Sequence, residues 1–186
     1  MTTTSTDFRT LTGSYTVDPA HSRFGFVARH AMVTKVRGAF NEFEGSAVID
    51  GDDPTKSSAE VTIAVASVDT RNEQRDGHLR TNDFLDAERY PAITFKSTAI
   101  SHVAGNDFEV TGDLTIKDVT KSISFPLEFQ GAAKDPFGND RVGFEGSVVI
   151  NRRDWGVNWN AALETGGVLV SDKVTLEFEI SAIKTA

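Results

Sequence analysis

Lys121-Ser-Ile-Ser-Phe-Pro-Leu-Glu-Phe-Gln130 decides the fold. Ile123, Phe125, Leu127 and Phe129 occupy every second position, and Ser122, Ser124, Glu128 and Gln130 fall between them. Successive side chains of a strand point to opposite faces, so this run is a strand with one apolar and one polar side. The same alternation recurs in Val61, Ile63 and Val65; in Phe108, Val110, Leu114 and Ile116; in Val142, Phe144, Val148 and Ile150; and in Val174, Leu176, Phe178 and Ile180. Between the runs stand Asp50-Gly51, Gly105-Asn106, Asp135-Pro-Phe-Gly138 and Gly166-Gly167, residues suited to tight reversals. Short links imply antiparallel neighbours. The runs predict about eight strands, over 14–29, 36–50, 58–67, 92–102, 107–117, 121–131, 140–151 and 171–183. The fold class is therefore all-β, an eight-stranded antiparallel β-barrel, a size that either fills itself with side chains or holds one small ligand.

One segment departs from the alternation. Residues 70–90 begin with Thr70-x-x-Glu73, the pattern of a capping box, and predict one short helix and a loop near a barrel end. In that helix Asp76 and Arg80 stand four apart and can pair, while Arg75 and Leu79 share another side. As a cover over an apolar interior, the segment should turn Leu79, Phe84 and Leu85 inward. Residues 1–13 read as a flexible N-terminal tail and 14–186 as a single domain.

Composition narrows the function. A net charge of −8 repels nucleic acid and anionic headgroups, and no apolar stretch is long enough for a membrane span. The absence of cysteine excludes disulfides and thiolate chemistry, and residues 1–14 lack the apolar core of a secretion signal, so the expected location is cytoplasmic. Four histidines show no metal-site spacing, and no nucleophile or phosphate-loop motif occurs; the expectation is no metal, no cofactor and no catalytic residue. Arg75, Asp76 and His78 have the residue types of an active site, but capping and pairing of a helix already accounts for them. Of 17 aromatic residues (13 Phe, 2 Trp and 2 Tyr), phenylalanine dominates, bringing bulk without a polar group to satisfy. The candidate lining of an apolar cavity is Phe24, Phe26, Val61, Ile63, Phe95, Val110, Leu114, Phe125, Leu127, Phe144, Val148 and Leu176. Periodicity alone leaves a hollow and a filled barrel equally open.

Eight segments in order carry a resemblance: Tyr15-Thr-Val-Asp-Pro-Ala-His21-Ser22, Phe26-Val-Ala-Arg-His30, Val36-Arg-Gly-Ala-Phe40, Arg75-Asp-Gly-His-Leu-Arg80, Asp83-Phe-Leu85, Tyr90-Pro-Ala-Ile-Thr-Phe95, Gly112-Asp-Leu-Thr-Ile116 and Asn151-Arg-Arg-Asp-Trp-Gly156. Over residues 14–183 the chain resembles the YceI-like family. The resemblance implies a lipocalin-like barrel that binds a polyisoprenoid in an elongated apolar cavity, with His21, His30, Arg75, His78 and Arg152 as headgroup candidates at its mouth. It departs from the family pattern at Asp118, where glycine is usual and a left-handed turn residue is expected, at Ser122, where proline is frequent, and at Trp155, where phenylalanine is commoner. Many members are exported, which sets the missing leader against the pattern.

The leading reading is thus a carrier, store or sequestering protein for a long-chain isoprenoid lipid or prenylated quinone, without enzymatic activity. One rival is an enzyme acting on an isoprenoid or quinone, with His78 and Asp76 moving protons. Another is a filled barrel that binds a protein partner. Whether two copies form a homodimer stays open.

Overall fold

The computed structural model describes residues 7–164 and 166–186. Eleven strands form one sheet: β1 Gly13–Val17, β2 Arg23–His30, β3 Thr34–Phe40, β4 Phe43–Ile49, β5 Ser58–Ala64, β6 Val68–Asp69, β7 Ala92–Ala104, β8 Asp107–Ile116, β9 Val119–Lys134, β10 Asp140–Asn151 and β11 Lys173–Lys184. Antiparallel pairing runs β4, β5, β7, β8, β9, β10, β11, and closes through β1, which bonds both β11 and β4. The pairing makes an 8-stranded barrel, because β1 and β2 lie end to end along β11, as do β3 and β4 along their neighbours. Val17 faces Ala182 and Arg23 faces Glu179, so the first stave is interrupted by the turn Pro19–His21 but keeps its line.

The interruption has a chemical cause. Asp18 caps the turn by accepting from Ala20 N, and Pro19 has no N–H to offer a neighbour. The gap is bridged by Ser22, whose hydroxyl accepts from Ser181 N at 2.9 Å. Arg141 then ties the bend to the β9–β10 hairpin, donating to Asp18 and to Asp135 at 2.7 Å each. With His21 also bonded to Asp18, Arg141 holds the Asp18 carboxyl at about 2, and it holds Asp135 well below the ordinary carboxylate range.

One helix, α1 (Glu73–Leu79), follows β6. It begins two residues later than the predicted capping box: Asn72 is the cap, accepting from Arg75 N at 3.0 Å. Thr70 instead bonds Asp76, whose buried carboxylate accepts from Thr70 N at 2.8 Å and from its hydroxyl. The expected Asp76–Arg80 pair is therefore absent; Arg80 donates to the carbonyls of Ala66 and Val68. Leu79, Phe84 and Leu85 do turn inward. At the β8–β9 reversal the left-handed residue is Lys117 (φ 57), not Asp118.

The expected tail over 1–13 is described from residue 7 onward. Residues 1–6 lie outside the described residues, but Phe8–Leu11 form a 3-10 turn capped by Asp7, with Leu11 buried. The two groups of buried apolar side chains sit at opposite barrel ends. Val65, Phe84, Ile93, Trp155 and Val157 belong to the end covered by α1, while Leu11, Tyr15, Phe129, Val142 and Ala182 belong to the end with the termini.

Because Arg141 lowers both carboxyl pKa values in the folded state, the stabilisation is complete above their ordinary value and is lost as pH falls through the lowered ones. Arg141→Gln raises those folded values. It should lower stability at neutral pH and move the acid-unfolding midpoint, followed by circular dichroism, to higher pH.

Candidate ligand-binding cavity

Between the two packed ends the barrel is hollow. A central cavity of about 180 Å³ is lined by Phe24, Val61, Ile63, Phe95, Val110, Leu114, Phe125, Leu127, Val148 and Leu176, joined by Phe40, Ile100, Phe178 and Ile180. A second cavity of about 130 Å³ lies towards the termini, lined by Phe144 with Leu11, Tyr15, Phe129 and Val142. Ala59, Val61, Ile100, Val110, Leu127 and Ile180 border both, so the two apolar cavities are adjacent and share a wall. A third hollow of about 400 Å³ lies under α1, lined by Phe26, His30, Arg75, His78, Leu79 and Trp159. Phe26 and Phe40, with ring centroids 5.7 Å apart, stand between it and the central cavity.

Glycines make the room. Phe26 faces Gly38 across β2 and β3, and Phe178 faces Gly146 across β11 and β10. A methyl group built on either glycine would overlap the opposing ring, and one on Gly112 would overlap Phe95. The rings thus lie along the wall, over strands with no side chain beneath them, and do not stand into the lumen.

The deep end is sealed by the N-terminal turn. Phe8 meets Phe108 and Phe129 edge-on, with centroids 5.3 and 5.6 Å away, and Tyr15 OH donates to Leu11 O at 2.8 Å. Sequence reasoning missed this seal, although Phe8 and Leu11 are the large apolar residues of the first 14 and stand one turn apart.

The mouth gathers three of the five headgroup candidates: His30, Arg75 and His78, with Asn72 and Gln74 beside them. Arg75 is anchored locally, its Nε and one terminal nitrogen donating to the Thr70 hydroxyl and carbonyl at 2.7 Å each. His78 Nε2 lies 2.9 Å from Asp83, and its ring meets Phe84 and Trp159 edge-on, at 5.0 and 4.7 Å. Trp159 was another residue the sequence did not single out.

The other two candidates lie elsewhere. His21 is exposed on the outer wall, its Nδ1 2.7 Å from Asp18, because the interrupted stave turns it outward. Arg152 is buried and spends its donors on carbonyls: Ser171 at 2.9 Å, Val157 at 2.7 Å, Trp159 at 2.9 Å and Val170 at 3.3 Å. Burial pulls its pKa down from the ordinary arginine value, but from so high a start that it stays charged. It is the clip that folds the 152–172 segment against the barrel. Trp155 fills the same end, its indole N–H donating to Leu114 O at 2.9 Å.

The sequence model of the YceI-like domain matches residues 15–182. The chain belongs to the YceI-like family. A UPF0312 protein of Staphylococcus epidermidis is 43% identical over 171 residues, covering 90% of this chain and 95% of that protein. Among solved structures, BcnA of Burkholderia cenocepacia superposes with a TM-score of 0.79 at 30% identity, over 89% of this chain and 98% of that one. A polyisoprenoid binding domain from Saccharophagus degradans shares the fold, with a TM-score of 0.69 at 17% identity, over 92% and 98% of the two chains. In this YceI-like barrel the two apolar cavities lie between the helix-covered end and the N-terminal turn.

Arg152→Met would leave the carbonyls of Ser171, Val157 and Trp159 without their donor, while Val170 O keeps its bond from Asn160. We expect a loss of about 3 kcal/mol in urea unfolding, with uptake of an apolar dye into the central cavity unchanged at temperatures where the variant is folded.

Proposed function

We propose that this barrel holds one long, flexible apolar molecule of the isoprenoid or prenylquinone class, tail inward and headgroup beneath α1, as a carrier, store or sequestering protein. The observation that carries this reading is a pair of adjacent, predominantly apolar cavities inside the barrel, with His30, Arg75 and His78 gathered in the hollow beneath α1 beyond Phe26 and Phe40. An apolar cavity near 150 Å³ stays dry and accepts a benzene-sized guest. By that measure the central and deep cavities take about a dozen carbons, and the rest of a longer tail and its headgroup lie in the hollow under α1. Each buried CH₂ contributes about 0.8 kcal/mol of gross driving force, most of it offset by ordering of the chain. Such a wall reads length and girth; the headgroup is read by His30, Arg75 and His78.

The fold neighbour from Saccharophagus degradans is named for polyisoprenoid binding. The present reading extends that ligand class to this chain on the strength of the cavity, since so distant a neighbour speaks for the fold alone. The pairing of His78 with Asp83 at the mouth favours a second reading, an enzyme that moves a proton on a bound quinone. Turnover of a prenylquinone by the wild type, lost in His78→Ala, would replace the carrier reading with that one.

Mass spectrometry of an organic extract of the purified protein should show a prenyl lipid. Ala59→Phe, which adds a ring at the boundary of the two apolar cavities, should weaken geranylgeraniol binding about 10-fold and farnesol binding less. An empty extract together with no binding of either alcohol would end the proposal.

A further inference from the structure

The mouth of the barrel carries a surface that the ligand reading does not use. From residue 19 to residue 41 there is no acidic side chain, although the whole chain has a net charge of −8, and Arg23, Arg29, Lys35 and Arg37 fall within that span. On the outer wall of the β2–β3 hairpin Arg29 faces Lys35, and Val27 faces Arg37. Lys173 of β11 joins them along one shallow groove. The acids bordering that groove are already engaged: Asp172 with Arg153 at 2.7 Å and Glu177 with Arg23 at 3.7 Å. Arg29, Lys35, Arg37 and Lys173 have no ion-pair partner among the described residues. Like charges placed opposite each other across two strands destabilise the pair, a cost that a covering anionic surface would reverse.

The tip of the same hairpin is apolar. Met32 is 64% and Val33 76% exposed, and Val168 of the neighbouring loop is 40% exposed. Ala31 and Met32 both adopt left-handed backbone, at φ 51 and 62, a conformation disfavoured for residues with a Cβ. The tip is nevertheless braced, with Ala31 N donating to Leu169 O at 2.7 Å and Arg29 N to the Ser171 hydroxyl at 3.0 Å. A braced, strained turn thus holds two apolar side chains out into solvent at the rim of the hollow that opens under α1.

We propose that this rim is a membrane-docking surface: Met32, Val33 and Val168 enter the interface of an anionic bilayer while Arg29, Lys35, Arg37 and Lys173 contact its headgroups. The arrangement, an apolar tip flanked by bases, is that of interfacial membrane binders. Docking in this orientation sets the mouth against the bilayer, where an apolar ligand passes without crossing water. The −8 charge of the whole chain makes the attachment reversible and orients it, since the remaining surface is repelled.

The test is co-sedimentation of the full chain with vesicles of phosphatidylcholine alone and of phosphatidylcholine with about 30% phosphatidylglycerol, chosen to give an anionic surface. Neither contains a prenyl lipid, so the outcome is independent of whether the cavity ligand has been correctly assigned. Binding to the anionic vesicles that is lost in high salt is expected. Lys35→Gln with Arg37→Gln should weaken it about 25-fold, at about fivefold per basic residue, and Met32→Ser with Val33→Ser should weaken it independently of salt. All four positions are exposed, and circular dichroism melting confirms that the variants fold. Equal binding to both vesicle types, binding to neither, or wild-type binding by the Lys35/Arg37 variant would overturn the proposal. Capture of soluble polyglutamate without vesicle binding would also overturn it and assign the bases to an acidic protein.

Discussion

Phenylalanine rings resting on glycines of the neighbouring strand are what keep this barrel hollow. Protein interiors ordinarily reach the packing density of organic crystals, and eight staves with apolar inner faces would do so here if every inward position carried a side chain. Gly38, Gly112 and Gly146 remove side chains where Phe26, Phe95 and Phe178 lie, so the rings are absorbed into the wall. The resulting void has a cost. At about 24 cal/mol per Å³, the central cavity of about 180 Å³ withholds roughly 4 kcal/mol of packing. An apolar guest recovers contacts that the protein by itself does not make.

That cost is sustainable because the ends are packed and the wall is closed. The sheet closes through β1, and Arg141, bonded to Asp18 and Asp135, holds the bend in the first stave against the neighbouring hairpin. At one end Arg152 gathers the carbonyls of the 152–172 segment, and Trp155 fills the space between strands. At the other end Phe8 and Leu11 seal the deep cavity. The two ends therefore differ in kind: one is a dry stopper, and the other combines a helix, imidazoles and a guanidinium over a hollow.

Much of this was written in local sequence. The period-two runs located all eight staves, because half-buried antiparallel strands leave that mark on every second residue. They did not show that three staves are broken, at Asp18–Ser22, at Asn41–Glu42 and at Val65–Ser67, since the register resumes in line beyond each break. All twelve cavity candidates line one of the three hollows, as alternation places them inside any barrel. Whether the inside was empty could not be read from alternation, because that depends on which glycine faces which ring across strands far apart in the chain. The misplacements of His21 and Arg152 have a similar origin: a motif gives position along the chain, whereas the partners that consume each side chain, Asp18 for one and four carbonyls for the other, come from tertiary contact. The helix start was displaced because the Thr70 hydroxyl, a good cap by type, is committed to Asp76.

The central claim is that an apolar tail threads the adjacent cavities from the mouth to the N-terminal seal. A crystal of the protein soaked with a prenyl alcohol carrying bromine at the end of its tail tests it directly, through the anomalous signal of the bromine. The account predicts a bromine peak in the deep cavity, between Leu11, Tyr15 and Phe144. A peak on the outer surface, or density that stops at Phe26 and Phe40 with the deeper cavities empty, would contradict it.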